Sequence, residues 1–169
     1  MRQFLRGLGF LLIVVATILL SLMMASHLPF AAEESRVARL AERDPVPAWR
    51  AFHVVLEGCR CSDALRAHLA SRTLPGYRET ILVLGRDLEP EAAWARYGLQ
   101  GVPWLVLIDP QGRVRYSGGY TASPGDPSYQ DQSLAREVQG GQLRSPLPAF
   151  GCPTQEDVRR KVKLPSWIR

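Results

Sequence analysis

The 169-residue chain is short of the side chains that build most metal centres: it has three cysteines, three histidines and three methionines. A tetrahedral zinc site needs four ligands, and no histidine stands at a convincing ligand spacing from the cysteines. Without a methionine-rich tract, a soft ion such as Cu(I) would have only the thiolates of Cys59, Cys61 and Cys152 to hold it. Internal repeats and low-complexity tracts are also lacking. Net charge is lacking in the body of the chain. The whole sequence carries +5, but residues 159–169, RRKVKLPSWIR, hold five basic residues and no acid, and the remainder carries 16 of each sign. The basic character is therefore a property of the tail, and no nucleic-acid partner is expected. Trp167 and Ile168 could set this stretch on anionic lipid, although a solvated chain end is the plainer reading.

Charge is absent altogether from residues 7–26, GLGFLLIVVATILLSLMMAS. Twenty helical residues rise about 30 Å, the thickness of a bilayer core. Arg2 and Arg6 precede this run, while Glu33 and Glu34 come after it. Positive charge at the short end keeps that end in the cytoplasm. Small-x-small cleavage sites are poor, because Met23 stands before Ala25 and Phe30 before Ala32. The reading is an uncleaved single-pass anchor over 7–26 behind a cytoplasmic N-terminus at 1–6, rather than a signal peptide. Everything later then lies on the outer, oxidising side. Residues 27–47 read as a stalk of good helix formers ended by Pro45 and Pro47.

Beyond the stalk, strand-like and helix-like segments alternate. AFHVVL (51–56) and RETILVLG (78–85) have the apolar, β-branched character of strands. Ser62 is a candidate N-cap for SDALRAHLASR, in which Leu65 and Leu69 share a helical face. Pro90 suits the first turn of a second helix, and Gly98 its end. WLVLI, the turn Asp109-Pro110-Gln111-Gly112 and RVRYS predict a hairpin. QDQSLAREVQ closes the order β-α-β-α-β-β-α as a third helix. Strands joined by helical crossovers are parallel, and the hairpin adds antiparallel ones. The glycine pair in YSGGY reads as a strand end, since no phosphate-binding helix comes directly after it.

Two cysteines, in GCRCS (58–62), fall at the first strand-to-helix junction, and the third stands in FGCP (150–153). A cysteine ahead of a helix meets unpaired N–H groups and the positive end of the dipole, which favour thiolate. Arg60 adds a positive charge beside each. Cys59 precedes the turn into the helix and is expected to be the more exposed of the two.

The element order, the cysteine position and YGLQGVPWLVLIDPQGRVRYSGGY (97–120) together resemble the thioredoxin-like superfamily. The likeness covers about residues 49–140. A smaller group of membrane-anchored bacterial thioredoxin-like proteins, with C-x-C and a C-terminal F-G-C-P, is similar as well. The resemblance implies an α/β thioredoxin-like fold over 48–145, with a central mixed sheet flanked by helices, and a cis bond at Val102-Pro103 beside the cysteines. The chain departs from C-x-x-C: Ser62 stands where the second cysteine would be or, in another register, Gly58 replaces the first. The buried acid of thioredoxins becomes His53 or Phe52 accordingly.

The function this implies is thiol–disulfide oxidoreductase or isomerase on protein clients, without a cofactor. Cys59 is the expected nucleophile, resolved by Cys61 or by Cys152 from the Pro-rich, basic tail, 146–169. Pro103 would complete the catalytic site, and Val102, Trp104 and Arg60 would meet the client and an unidentified redox partner. The implied location is the periplasmic side of a bacterial cytoplasmic membrane. An inert staple would leave one thiol unpaired at a helix N-terminus, which favours the redox reading. The other readings are a soft-metal binder using the three thiols, and a non-catalytic interaction module of the same fold. His53 reads as a half-buried packing residue and His68 as exposed.

Overall fold

Two apolar clusters, one on each face of a central sheet, organise the chain in a computed structural model that describes residues 9, 11–19, 30, 32, 34–43, 46–142 and 145–155. A helix occupies 11–19 (α1). It is followed by α2 (Glu34–Val37), α3 (Leu40–Arg43), β1 (Trp49–Leu56), α4 (Arg60–Ala70), β2 (Tyr77–Leu84) and α5 (Pro90–Tyr97). Then come β3 (Gly101–Val102), β4 (Trp104–Ile108), β5 (Val114–Gly118), α6 (Asp131–Gln139) and β6 (Cys152–Pro153). The main sheet has the order β2-β1-β4-β5, with β1 and β2 parallel and the other pairings antiparallel. The result is a mixed α/β unit with a four-stranded sheet between helices, compatible with the expected fold.

Local chemistry accounts for the boundaries. Pro90 opens α5, where its missing N–H costs nothing, and Gly98 closes it in the left-handed conformation (φ 68°). In the hairpin turn the Gly112 N–H donates to the Asp109 carbonyl at 2.9 Å, and the Asp109 carboxylate accepts from the N–H groups of Gln111 and Arg113.

Alternation along β1 divides the core. Phe52, Val54 and Leu56 face α2, α3 and α5, and meet Val37, Leu40, Ala93 and Tyr97. Ala51 and Val55 face α4 and α6, and meet Leu65, Leu69, Leu134 and Val138.

Half of the expected membrane segment lies outside the described residues, and 1–6 and 156–169 lie wholly outside them. Within it, 11–19 is helical and exposes Leu11, Leu12 and Ile13. No helix among the described residues is long and apolar enough to cross a membrane. The region read as a stalk puts one side of its described residues into the core. Val37 and Leu40 are fully buried, and the Arg50 guanidinium donates to the Ala41 carbonyl at 2.8 Å. Short bridges join Ala32 to Leu99 and Phe30 to Ala149. Leu40→Ala is therefore expected to lower stability by about 2–5 kcal/mol, the cost of a buried cavity, whereas a free stalk would show no shift in a denaturant titration.

Candidate redox site and the seat of the tail

The link between β1 and α4 is a tight turn in which Gly58 takes a left-handed backbone (φ 69°) that side chains disfavour. It delivers Cys59 to the N-cap of α4, in an extended conformation with no side-chain capping bond. The sulfur is engaged elsewhere: Cys59 is joined to Cys152 in a disulfide with a Cα–Cα distance of 6.7 Å. Ser62 is not the N-cap expected from its residue type. It is the third residue of α4, buried, and its hydroxyl accepts the Leu56 N–H at 2.9 Å, tying the helix back to the end of β1.

The expected order of exposure is reversed. Cys59 is 4% exposed, turned inward to share a cluster with Val102, Trp104 and Cys152. Cys61 is the exposed, free thiol. The reason is geometric: the N-cap residue curls under the tail, while two positions later the helix presents its outer side. Arg60, between them, is exposed.

Val102-Pro103 is a cis peptide bond, and its neighbour in space is the tail. Strand β6 pairs antiparallel with β3, Val102 opposite Cys152 and Gly101 opposite Pro153. The Thr154 N–H donates to the Gln100 carbonyl at 3.0 Å and its hydroxyl to the Leu99 carbonyl at 2.6 Å, with Thr154 fully buried. Upstream, the Gly119 N–H donates to the Leu147 carbonyl, and the Phe30 N–H to the Ala149 carbonyl, each at 2.8 Å. Glycines make this seat possible. A Cβ on Gly119 would overlap the Pro148 carbonyl, one on Gly101 the Phe30 ring, and one on Gly151 the Val102 carbonyl. The glycine pair of YSGGY does end β5, but it is also the floor on which the tail lies. Residue spacing gave no signal of that role.

Trp104 opens β4 with its indole N–H donated to the Ser117 hydroxyl at 2.9 Å. It lines a cleft of about 330 Å³ with Phe30, Ser117, Pro146 and Leu147.

Beneath the sheet lies a polar network that sequence reasoning missed. His53 is fully buried rather than half-buried. It bonds Tyr120 Oη at 2.8 Å through Nδ1 and the Glu79 carboxylate at 2.9 Å through Nε2. Arg72 bridges Glu79 and Asp131, and Asp131 also meets His68 Nε2 at 3.0 Å. His68, expected at the surface, is thus half-covered and packs on Tyr129. The Tyr120 hydroxyl also reaches the Trp104 carbonyl at 3.4 Å, which brings the network to the residue after Pro103. Burial, reinforced by the Asp131 charge, holds the Tyr120 phenol well above its ordinary pKa, so it remains a proton donor. Burial pushes the Glu79 carboxyl up, but hydrogen bonds from His53 and Arg72 and the charge of Arg72 outweigh it and bring it down to about 2.

Among the described residues no three His, Cys, Asp or Glu side chains come together as a metal site. With Cys59 and Cys152 bonded to each other, the three thiolates do not form a set.

No family model and no curated protein matches the chain. Among solved structures, it is similar to a hypothetical protein from Sinorhizobium meliloti, at 16% identity and a TM-score of 0.50, over 68% of this chain and 82% of that one. An uncharacterized conserved protein from Geobacillus kaustophilus aligns at 12% identity and a TM-score of 0.47, over 64% and 77%. The first of these likenesses is one of fold alone.

Proposed function

We propose that the chain is a thioredoxin-like thiol–disulfide oxidoreductase, held at a membrane by residues 7–26, with Cys59 and Cys152 as its redox pair. The observation that carries this reading is the bond itself. The N-cap cysteine of α4, beside Val102-Pro103, is within bonding reach of a cysteine carried on a separate strand.

In the reduced protein the Cys59 thiolate, favoured by the N-terminus of α4, attacks one sulfur of a client disulfide. A Cys59–client disulfide forms and one client thiolate leaves. The Cys152 thiolate then attacks the Cys59 sulfur, closing Cys59–Cys152 and releasing the second client thiolate. Two electrons pass to the client, and an external dithiol restores the pair. Run backwards, the same steps oxidise a client dithiol.

In this scheme Cys61 is not required for turnover. Cys59→Ser is expected to lower insulin-disulfide reduction by about 1,000-fold or more, while Cys61→Ser stays within about threefold of the parent. Turnover surviving Cys59→Ser would overturn the assignment. Loss of turnover in Cys61→Ser would move the resolving role to that thiol.

A further inference from the structure

The seat of the tail is shaped to the tail's own residues, and this limits what else would fit there. Resting on the redox reading above, a mixed disulfide with Cys59 puts the client's cysteine sulfur where that of Cys152 now lies. The client's neighbouring residues then meet the surfaces that Gly151 and Thr154 now meet. The residue before the cysteine lies against the Val102 carbonyl and Pro103 Cδ, where a Cβ overlaps the carbonyl oxygen. The residue two places after it enters a fully buried position where the Leu99 carbonyl accepts a hydrogen bond, now from the Thr154 hydroxyl at 2.6 Å. Its N–H meets the Gln100 carbonyl at 3.0 Å, so the segment must be extended and antiparallel to β3.

We propose that the Gly101–Val102 edge docks an extended client segment of the form Gly-Cys-x-Thr or Gly-Cys-x-Ser, and that residues 151–154 are the internal occupant such a client displaces. A larger residue before the cysteine is rejected by backbone, which cannot move aside as a flexible side chain can. An apolar residue in the Thr154 position leaves a buried carbonyl without its donor. Because the tail takes the same strand position, its return with Cys152 resolves the mixed disulfide and expels the client in one movement. The tail, tethered to the body, competes at a high effective concentration.

The test uses the full chain in detergent with Cys61→Ser and Cys152→Ser, leaving Cys59 as the one thiol. Peptides Phe-Gly-Cys-Pro-Thr, Phe-Ala-Cys-Pro-Thr and Phe-Gly-Cys-Pro-Val are presented as mixed disulfides with thionitrobenzoate. Attack by the Cys59 thiolate on the peptide sulfur forms the Cys59–peptide bond and releases one thionitrobenzoate, read by its absorbance. The alanine peptide is expected to react about tenfold or more slowly, and the valine peptide about fivefold or more slowly. Adding Gly151→Val, which prevents the tail from reseating, is expected to speed the parent peptide about tenfold. Rates within twofold across the three peptides would overturn the proposal, whether or not the Gly151→Val chain folds. An unchanged rate in folded Gly151→Val would overturn it as well. If Cys59 still reacts with dithionitrobenzoate and the parent protein still reduces insulin, only the docking rule falls. A Cys59 inert to both reagents would remove the redox reading too.

Discussion

Reducing the Cys59–Cys152 bond, or replacing Cys152 by serine, lowers the unfolding free energy by about 3–5 kcal/mol. The two cysteines are 93 residues apart, so the cross-link removes a large share of the unfolded chain's freedom. The loop-closure cost for that length is roughly 4–5 kcal/mol at 25 °C, and measured bridges fall at or below it. Without the bridge, the buried Thr154 and the bonds of β6 to β3 alone hold the tail in its seat. Urea titrations with and without a reducing agent check this, and a difference under about 1 kcal/mol would mean that the tail stays seated without its bond. Cys61→Ser is the control: that thiol is exposed and free, and its removal is expected to leave the midpoint unchanged within error.

The second large effect lies under the sheet. Asp131 is fully buried against Arg72, whose side chain is 7% exposed. Asp131→Asn takes one of two carboxylates from the buried guanidinium and leaves it paired with Glu79, a change expected to cost about 1.5–3 kcal/mol. Trimming Glu79, which is more open, costs less and carries a pH signature. Its folded pKa, about 2, lies below the ordinary 4.5, so the folded state favours the carboxylate. The stabilisation is fully present above about pH 4.5 and is lost as the pH falls through 2. The gap in melting temperature between the parent and Glu79→Gln is thus expected to be widest near neutrality and to close between pH 4.5 and 2. A gap that stays constant over that range would place the effect in packing instead.

Much of the sheet was legible because its signals are local. The prolines and glycines at Pro90, Gly98 and Gly112, and the apolar character of β1, β2 and β4, fix element type and order without reference to the rest of the chain. The parallel pairing of β1 with β2 comes from the helix between them. The features that stayed hidden depend on meetings at long range. Cys59 and Cys61 are two residues apart, and nothing in that spacing says which turns inward. A partner 93 residues away decides it. Ser62 has the residue type of an N-cap, but Cys59 already occupies the turn, and the serine hydroxyl is used one turn further in. The network of His53, His68, Arg72, Glu79 and Asp131 draws on β1, α4, the loop after it, β2 and α6, so no periodicity reveals it. The segment after the apolar run read as a stalk because it is helix-forming and ends in prolines. Those properties describe its backbone, whereas Val37 and Leu40 are held by a face that only the folded sheet provides.

The position of the disulfide also sets how the molecule bears tension. A pull applied between residue 30 and residue 155 runs from the first strand through Cys59, across the sulfur bridge, and out along the tail. Residues 60–151, which include β2, β4, β5 and the helices on both faces, lie off that covalent line while the bridge is closed, and feel the pull through their pairing with β1 and β6. Opening it adds them to the path, a slack of roughly 300 Å at about 3.4 Å per extended residue. A chain fixed at one end and tugged at the other would therefore keep residues 60–151 from being drawn out when oxidised and let them unravel when reduced, so that the same two sulfurs act as a mechanical fuse.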